Sequence, residues 1–299
     1  MRSYWPLLFL LGAIWGASYL FIKVAVEDIE PAPMMATRTL VAGAILAAYL
    51  VVTLGRSRAL DELRRSWRPA LVLGAVNAAI PFWLVAWGEK HVDSSVAGIA
   101  QSTVPIFTFL LAWRVIPGEH VGGARIVGVA LGFIGVGVLA GLDSRGGWWA
   151  VAGTLAVVLS SLSYAVGGVY GQLRVRTVSG PVLATGSMLA GGLILLPLAL
   201  VQLPDHAPDA EAIASLLALT LLGTAFAQLI LFRMLRLFGS RRLSLVTYLI
   251  PGFALFYGAA FLDEPITAAA VGGLVLILVG VALGSGVRSL GTRATEEPA

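Results

Sequence analysis

The sequence predicts an all-α integral membrane protein: ten transmembrane helices forming two inverted five-helix repeats, with both termini cytoplasmic. Three observations predict it: an apolar composition, ten apolar stretches of spanning length, and a second half that nearly repeats the first. Of the 299 residues, 58% are hydrophobic and 12% charged. The mean hydropathy is +0.90, which leaves too little polar surface to coat a soluble particle.

Crossing a hydrocarbon core of roughly 30 Å takes about 20 apolar residues. Such stretches fall near 5–25, 34–54, 69–88, 94–114, 122–142, 148–171, 181–203, 211–233, 242–262 and 267–287. They are rich in Gly, Ala and Leu and lack the short alternating segments of a membrane β-barrel, so bundled helices are the architecture they support. The first stretch is followed by Glu27, Asp28 and Glu30 where a signal peptide would carry a small-residue cleavage site, so it is predicted to stay as the first helix. The longest connections, 55–68 and 203–211, leave no room for a soluble domain.

The repeat is visible residue by residue. Pro33, Ala36, Thr37, Ala42 and Gly43 match Pro181, Ala184, Thr185, Ala190 and Gly191 at a constant offset of 148. Pro105 pairs with Pro251 at 146, and Glu119, Gly128, Gly135 and Val136 pair with Glu264, Gly273, Gly280 and Val281 at 145. The repeats run over 5–145 and 146–288, with 289–299 a disordered cytoplasmic tail. An offset of five spans, an odd number, turns the second copy upside down, which is the pattern of secondary transporters whose halves rock about a central site.

Basic residues set the orientation, because short cytoplasmic loops hold the excess of Lys and Arg. With the N-terminus inside, 16 of the 20 fall in cytoplasmic segments. Only Lys23, Lys90 and Arg145 fall outside, and Arg38 lies within the second span. This distribution also explains a pI near 9.7 through topology and anionic lipid, with no nucleic-acid partner. With no cysteine in the chain, disulfides, thiol catalysis and Cys-ligated metals are excluded.

Every acidic residue sits in a loop or at a helix end, and so do His91, His120 and His206. No buried acid or imidazole is therefore expected to relay protons, and a uniporter or facilitator is predicted. The same pattern offers no Ser/His pair, aspartate pair or metal cluster at membrane depth for an enzyme. No phosphate-cradling loop is present for an ATPase. No cofactor and no metal are expected.

What remains inside the spans is polar and neutral, and it falls on helical faces. Trp15, Ser18, Tyr19 and Ile22 share one face of the first span, and Ser160, Tyr164, Gly167 and Gly171 share one of the sixth, with Tyr164 at the place of Trp15. Asn77 and Pro81 in the third span correspond to Thr224 and Gln228 in the eighth, and Gln101 and Pro105 in the fourth to Tyr248 and Pro251 in the ninth. A proline inside a helix removes an amide donor and frees the carbonyl four residues earlier, here Gln101 and Thr247. The candidate substrate-binding residues are therefore Trp15, Tyr19, Asn77, Pro81, Gln101, Tyr164, Gln228 and Tyr248. Pro105 and Pro251 are candidate hinges. Glu119 and Glu264, which end matching helices, are candidate gate residues.

Other features have plainer readings. Trp5, Trp148 and Trp149 fit an interfacial belt. Trp83, Trp87 and Trp113 are divided between packing, belt and pore. Arg38 and Lys23 read as structural, snorkelling outward or pairing with Glu27, Asp28 or Glu30. Asn77, Gln101 and Gln228 have a competing role as interhelical glue. Glycines such as Gly128, Gly135, Gly273 and Gly280 are close-packing sites, and their small-residue helices could also form a seam, so a monomer or weak homodimer is expected.

Trp15, Gly16, Ala17, Ser18 and Lys23, with Arg38, Pro105, Glu119, Pro251, Asp263, Glu264 and Pro265, resemble the pattern of the EamA-type drug/metabolite transporter superfamily, over essentially the whole chain. The resemblance implies an inverted-repeat carrier with a central cavity lined from both halves, usually exporting small metabolites. Within that group the chain is most similar to bacterial amino-acid exporters of the inner membrane. One departure is that Tyr164, Ala165 and Gly186 stand where the first half has Trp15, Gly16 and Arg38. The expected partners are the lipid bilayer and a small neutral or zwitterionic solute. A multidrug exporter is the alternative, and a non-transporting membrane enzyme or scaffold a distant one.

Overall fold

All of the helices but one follow from apolar runs. The structure, a computed structural model, describes residues 4–115, 122–142, 147–175, 177–203 and 206–284. Among them there is no strand. In chain order the helices are α1 (Tyr4–Ala25), α2 (Pro31–Leu54), α3 (Arg56–Arg65), α4 (Trp67–Glu89), α5 (Ser94–Val115), α6 (Gly123–Leu142), α7 (Gly147–Arg174), α8 (Gly180–Val201), α9 (Ala210–Gly239), α10 (Val246–Phe261) and α11 (Ala268–Gly284). Eight of these are long and apolar enough to cross a membrane, while α10 and α11 are apolar but shorter, at 16 and 17 residues.

Prolines open α2 and α8, where a missing amide costs nothing because the first turn has no partner for it. Gly55 ends α2 at φ 81°. The connection after it is itself a helix, α3, seated by Ala59 and Leu63 against Leu50 and Val182. The sequence had marked it only as a connector, since arginines on its outer face mask its apolar side.

Packing runs through small residues. α6 and α11 cross at Gly135 and Gly273, where a Cβ on Gly135 would lie 3.0 Å from the carbonyl of Gly273. α4 and α7 touch at Gly88 and Gly153 in the same way, at 2.8 Å. α2 rests on α8; α1 rests on α9 and α10, as α7 rests on α4 and α5. Apolar side chains outside these contacts stay exposed, Val52 at 84% and Val201 at 82% among them. Such a surface is stable only in lipid.

The main core cluster gathers one end of the bundle: Ile22, Ala25, Val26, Ile29, Met34, Met35, Val85, Val92, Val96 and Ile99. A second cluster packs the start of α1, through Leu8 and Leu11, on Ile230, Met234 and Val246.

Candidate binding site

Two helices widen at matching places. α4 forms a π-helical stretch over Ala75–Ala79 and α9 another over Leu221–Phe226. In α4 the cause is Pro81, which has no amide to donate to the carbonyl of Asn77; the amide of Ile80 bonds instead to Ala75, five residues back. A widened turn frees backbone and re-aims side chains, which is why such turns recur at functional sites. The carbonyl of Val76 is taken by the Ser163 hydroxyl at 2.8 Å. In α9 the Thr224 hydroxyl donates to the carbonyl of Leu219, also five back, at 3.1 Å.

Thr224 then accepts from Arg38. The Nε of Arg38 donates to the Thr224 hydroxyl at 2.8 Å, its guanidinium lies 4.1 Å from the centre of the Phe82 ring, and one terminal nitrogen reaches the Met35 sulfur at 3.7 Å. Arg38 is only 6% exposed, and its remaining donors have no partner among the described residues. Sequence reasoning sent this side chain outward or to Glu27, Asp28 or Glu30, and the structure corrects that. Seven residues into α2, at 1.5 Å per residue, Arg38 starts about 10 Å below the helix end, too deep to reach those acids. That depth was the overlooked signal.

Around the guanidinium sit aromatic groups from other helices. Phe82 packs against Tyr164, their ring centres 6.4 Å apart. Tyr19, 8% exposed, interacts electrostatically with Tyr164, Arg38 and Glu89. Gly98 on α5 lies against the Tyr19 ring. Asn77 meets Gly167 of α7, one turn beyond Tyr164, and its Oδ1 is buried with no hydrogen-bond partner. Pro81 is buried in the same helix.

Gln101 is placed differently. Its amide nitrogen donates to the Ser161 hydroxyl at 3.1 Å, and its side-chain oxygen accepts from Ser160 at 2.7 Å. Its backbone carbonyl, freed by Pro105, accepts from Ser161 at 3.3 Å. The side chain fastens α5 to α7. Trp15 packs in the seam between α1, α9 and α10. Tyr248 lies against the main core, and Pro251 is buried within α10. Gln228 is half-buried, and no hydrogen bond ties it to the group around Arg38. The structure thus brings together Tyr19 and Tyr164 with Arg38, Phe82 and Thr224; Pro81 precedes Phe82 in α4, and Asn77 meets α7 one turn from Tyr164.

Glu264 accepts from the amides of Ser94 and Ser95, at 2.7 and 3.0 Å. Its negative charge caps the positive N-terminal end of α5. Lys23 caps the opposite polarity, donating to the carbonyls of Glu89 and Val92 at 2.8 and 2.9 Å. Like Arg38, it does not pair with Glu27, Asp28 or Glu30. The α4–α5 turn is clamped from both sides. Glu119, the counterpart of Glu264, lies outside the described residues, as do His120 and the tail.

Further contacts close the same end. Lys90 pairs with Glu30 at 2.7 Å. Asp28 accepts from the amide of Asp209 at 2.6 Å and contacts His206 at 2.7 Å. These two partners, the amide first, hold the Asp28 carboxyl below the usual carboxylate range. His91, stacked on Trp149, is held below the usual imidazole range by burial and then by Lys90 and Lys23.

One acid overturns an expectation. Glu89, read from sequence as part of a connection, is fully buried, and neither carboxylate oxygen has a hydrogen-bond partner. Its burial comes from helices packing over the end of α4, which the local sequence does not announce.

The comparisons with known proteins agree with this architecture. The model of the EamA-like transporter family matches residues 3–141 and again 151–286. The chain is 33% identical over 191 residues to a protein of Escherichia coli strain K12 described as "Uncharacterized inner membrane transporter YedA", across 63% of this chain and 59% of that one. It is 24% identical over 277 residues to an "Uncharacterized transporter" of Archaeoglobus fulgidus, across 93% of this chain and 96% of the relative. It is 26% identical over 279 residues to "Uncharacterized transporter YvbV" of Bacillus subtilis, across 93% and 90%. A solved crystal structure superposes with a TM-score of 0.66 at 20% identity, covering 98% of this chain and all of the other, and so shares the fold. Apolar helices of spanning length, lipid-suited surfaces and a family model matched once in each half lead to one conclusion: this multi-pass membrane protein belongs to the EamA-like transporter family.

Proposed function

We propose that the protein is a bacterial inner-membrane carrier that exports small zwitterionic or neutral metabolites, amino acids being the class that fits best. It works by alternating access between two inverted five-helix halves, residues 5–145 and 146–288, with both termini cytoplasmic. The matched π-helical turns, the matched helix pairings and the twofold family match support the repeat.

The observation that carries the substrate class is Arg38, buried on the face of Phe82 with donors left unpartnered. A planar guanidinium presents a fork matched to a carboxylate. The unpartnered Oδ1 of Asn77 suits an ammonium group. The rings of Tyr19, Phe82 and Tyr164 offer apolar and cation-attracting surface for the side chain. Gln101 positions α5 through Ser160 and Ser161. In this reading Trp15, Gln228 and Tyr248 come into play as the halves rock, Pro105 and Pro251 act as hinges, and Glu119 and Glu264 act as gate residues.

Purified protein in liposomes should move radiolabelled neutral amino acids and lose selectivity for them over the corresponding decarboxylated amines when Arg38 is replaced. Flux of amines but not of amino acids by the wild type would overturn the reading. A second reading, export of cationic drugs, draws on the buried Glu89 carboxylate; tetraphenylphosphonium flux in the same liposomes separates the two. For topology, single cysteines at the exposed positions Glu27 and Ser57 of this cysteine-free chain should label from opposite sides. Labelling of both from one side would break the span order.

A further inference from the structure

The Glu89 carboxyl makes no hydrogen bond to the Arg38 group, and the clamp on the α4–α5 turn uses only its backbone carbonyl. Its carboxyl group is fully buried and unpartnered. An isolated ionised carboxylate is the group a protein interior tolerates least, and such groups are neutralised. The charged and titratable groups facing it are Lys23 and Tyr19 on α1, Arg38 on α2 and Glu264 beyond α10. None supplies a hydrogen bond. Lys23 has committed two of its three donors to carbonyls, and Arg38 is turned to Thr224. Glu264 adds a second negative charge nearby, itself satisfied by two amides. A proton is the ligand that neutralises such a group without any further polar partner.

We infer that Glu89 is a proton-binding site whose occupancy closes this end of the carrier. In the closed arrangement the carboxyl carries its proton. When the clamps through Lys23, Glu264, Glu30 and Asp28 release, water reaches the group, the proton leaves to that water, and the carboxylate is solvated with Lys23 as counter-charge. Closing again requires one proton from the same side.

The test needs no transported substrate, so it can fail independently of the exporter reading. In lipid vesicles at neutral pH, the infrared carbonyl stretch of a protonated carboxylic acid is expected in the wild type and in Glu264→Gln, and absent in Glu89→Gln. No such band in the wild type, or its persistence in Glu89→Gln, overturns the proposal. For the linkage, Ser94→Cys places a thiol at a fully buried hydroxyl that has no partner to lose. Its reaction with a water-soluble maleimide, normalised at each pH to Glu27→Cys, should rise at least tenfold from pH 6 to pH 9. With Glu89→Gln, which mimics the protonated state, it should stay slow at both. His206 and His91 lie at the same end, and Glu89→Gln leaves both in place. An equal rise in that variant would assign the opening to them and sink the role of Glu89.

Discussion

The π-helical turns of α4 and α9 occupy the same place in the two halves, yet one is filled and the other is open. In α9 the turn delivers the Thr224 hydroxyl to Arg38. In α4 it delivers Asn77, whose carbonyl oxygen meets no donor. The reason lies two helices away, where the place of Arg38 is taken in the second half by Gly186, packed on Ala70. The same bend thus occurs twice, and in one copy it meets a buried arginine while in the other it leaves an unpartnered acceptor.

The largest effect should come from removing the anchor. Arg38→Leu deletes the charge-assisted contact proposed for the substrate carboxylate, worth about 1.5–3 kcal/mol, or roughly 10- to 150-fold in affinity. Arg38→Lys should not restore it, because a lysine keeps the charge but not the planar fork stacked on Phe82. Amino-acid flux in liposomes measures both, and full rescue by lysine would show that charge alone matters.

The next contrast sets Asn77 against Gln101, two amides that the sequence could not separate. Asn77→Ala removes an acceptor with nothing bound to it, so flux should fall by roughly fivefold, about 1 kcal/mol, with thermal stability unchanged. Gln101→Ala strands the hydroxyls of Ser160 and Ser161 between α5 and α7 and should cost about 1–3 kcal/mol of stability. Thermal unfolding beside flux for both variants decides it. The assignment fails if Asn77→Ala destabilises the protein and Gln101→Ala does not.

Span positions were legible because apolar runs of fixed length are a one-dimensional signal; each predicted stretch coincides with a helix among the described residues to within a few positions. The effect of Pro105 was legible too, since a proline inside a helix frees a known carbonyl, here that of Gln101. Pro81 was read only as sharing a face with Asn77, and the widened turn before it was not foreseen. Arg38 and Glu89 were misread. For Arg38 the depth within α2 was there to be read but not its partner, Thr224 far along the chain; Glu89 has local surroundings that fit a loop, and what covers it is the packing of α7 on the end of α4. The short helix α3 escaped for the opposite reason, its few apolar contacts diluted by arginines.

The smallest effect concerns how the two ends are fastened. At one end the α1–α2 turn meets the segment before α9 through Asp28, the amide of Asp209 and His206. At the other end the α7–α8 turn meets α3 through Val178, Ala59 and Leu63, an apolar contact among the described residues. Only the first fastening should respond to acid. The Asp28 carboxyl is held below its ordinary value of about 3.9. Its stabilising effect is therefore fully present above that pH and disappears as the pH falls through the lowered value. Asp28→Asn should unfold at a slightly lower temperature than the wild type at pH 7, and the gap should close toward pH 3. Val178→Ala, in the apolar fastening, should lower the unfolding temperature by the same amount at both. A gap for Asp28→Asn that persists unchanged in acid would mean that the carboxylate charge contributes nothing to holding that end shut.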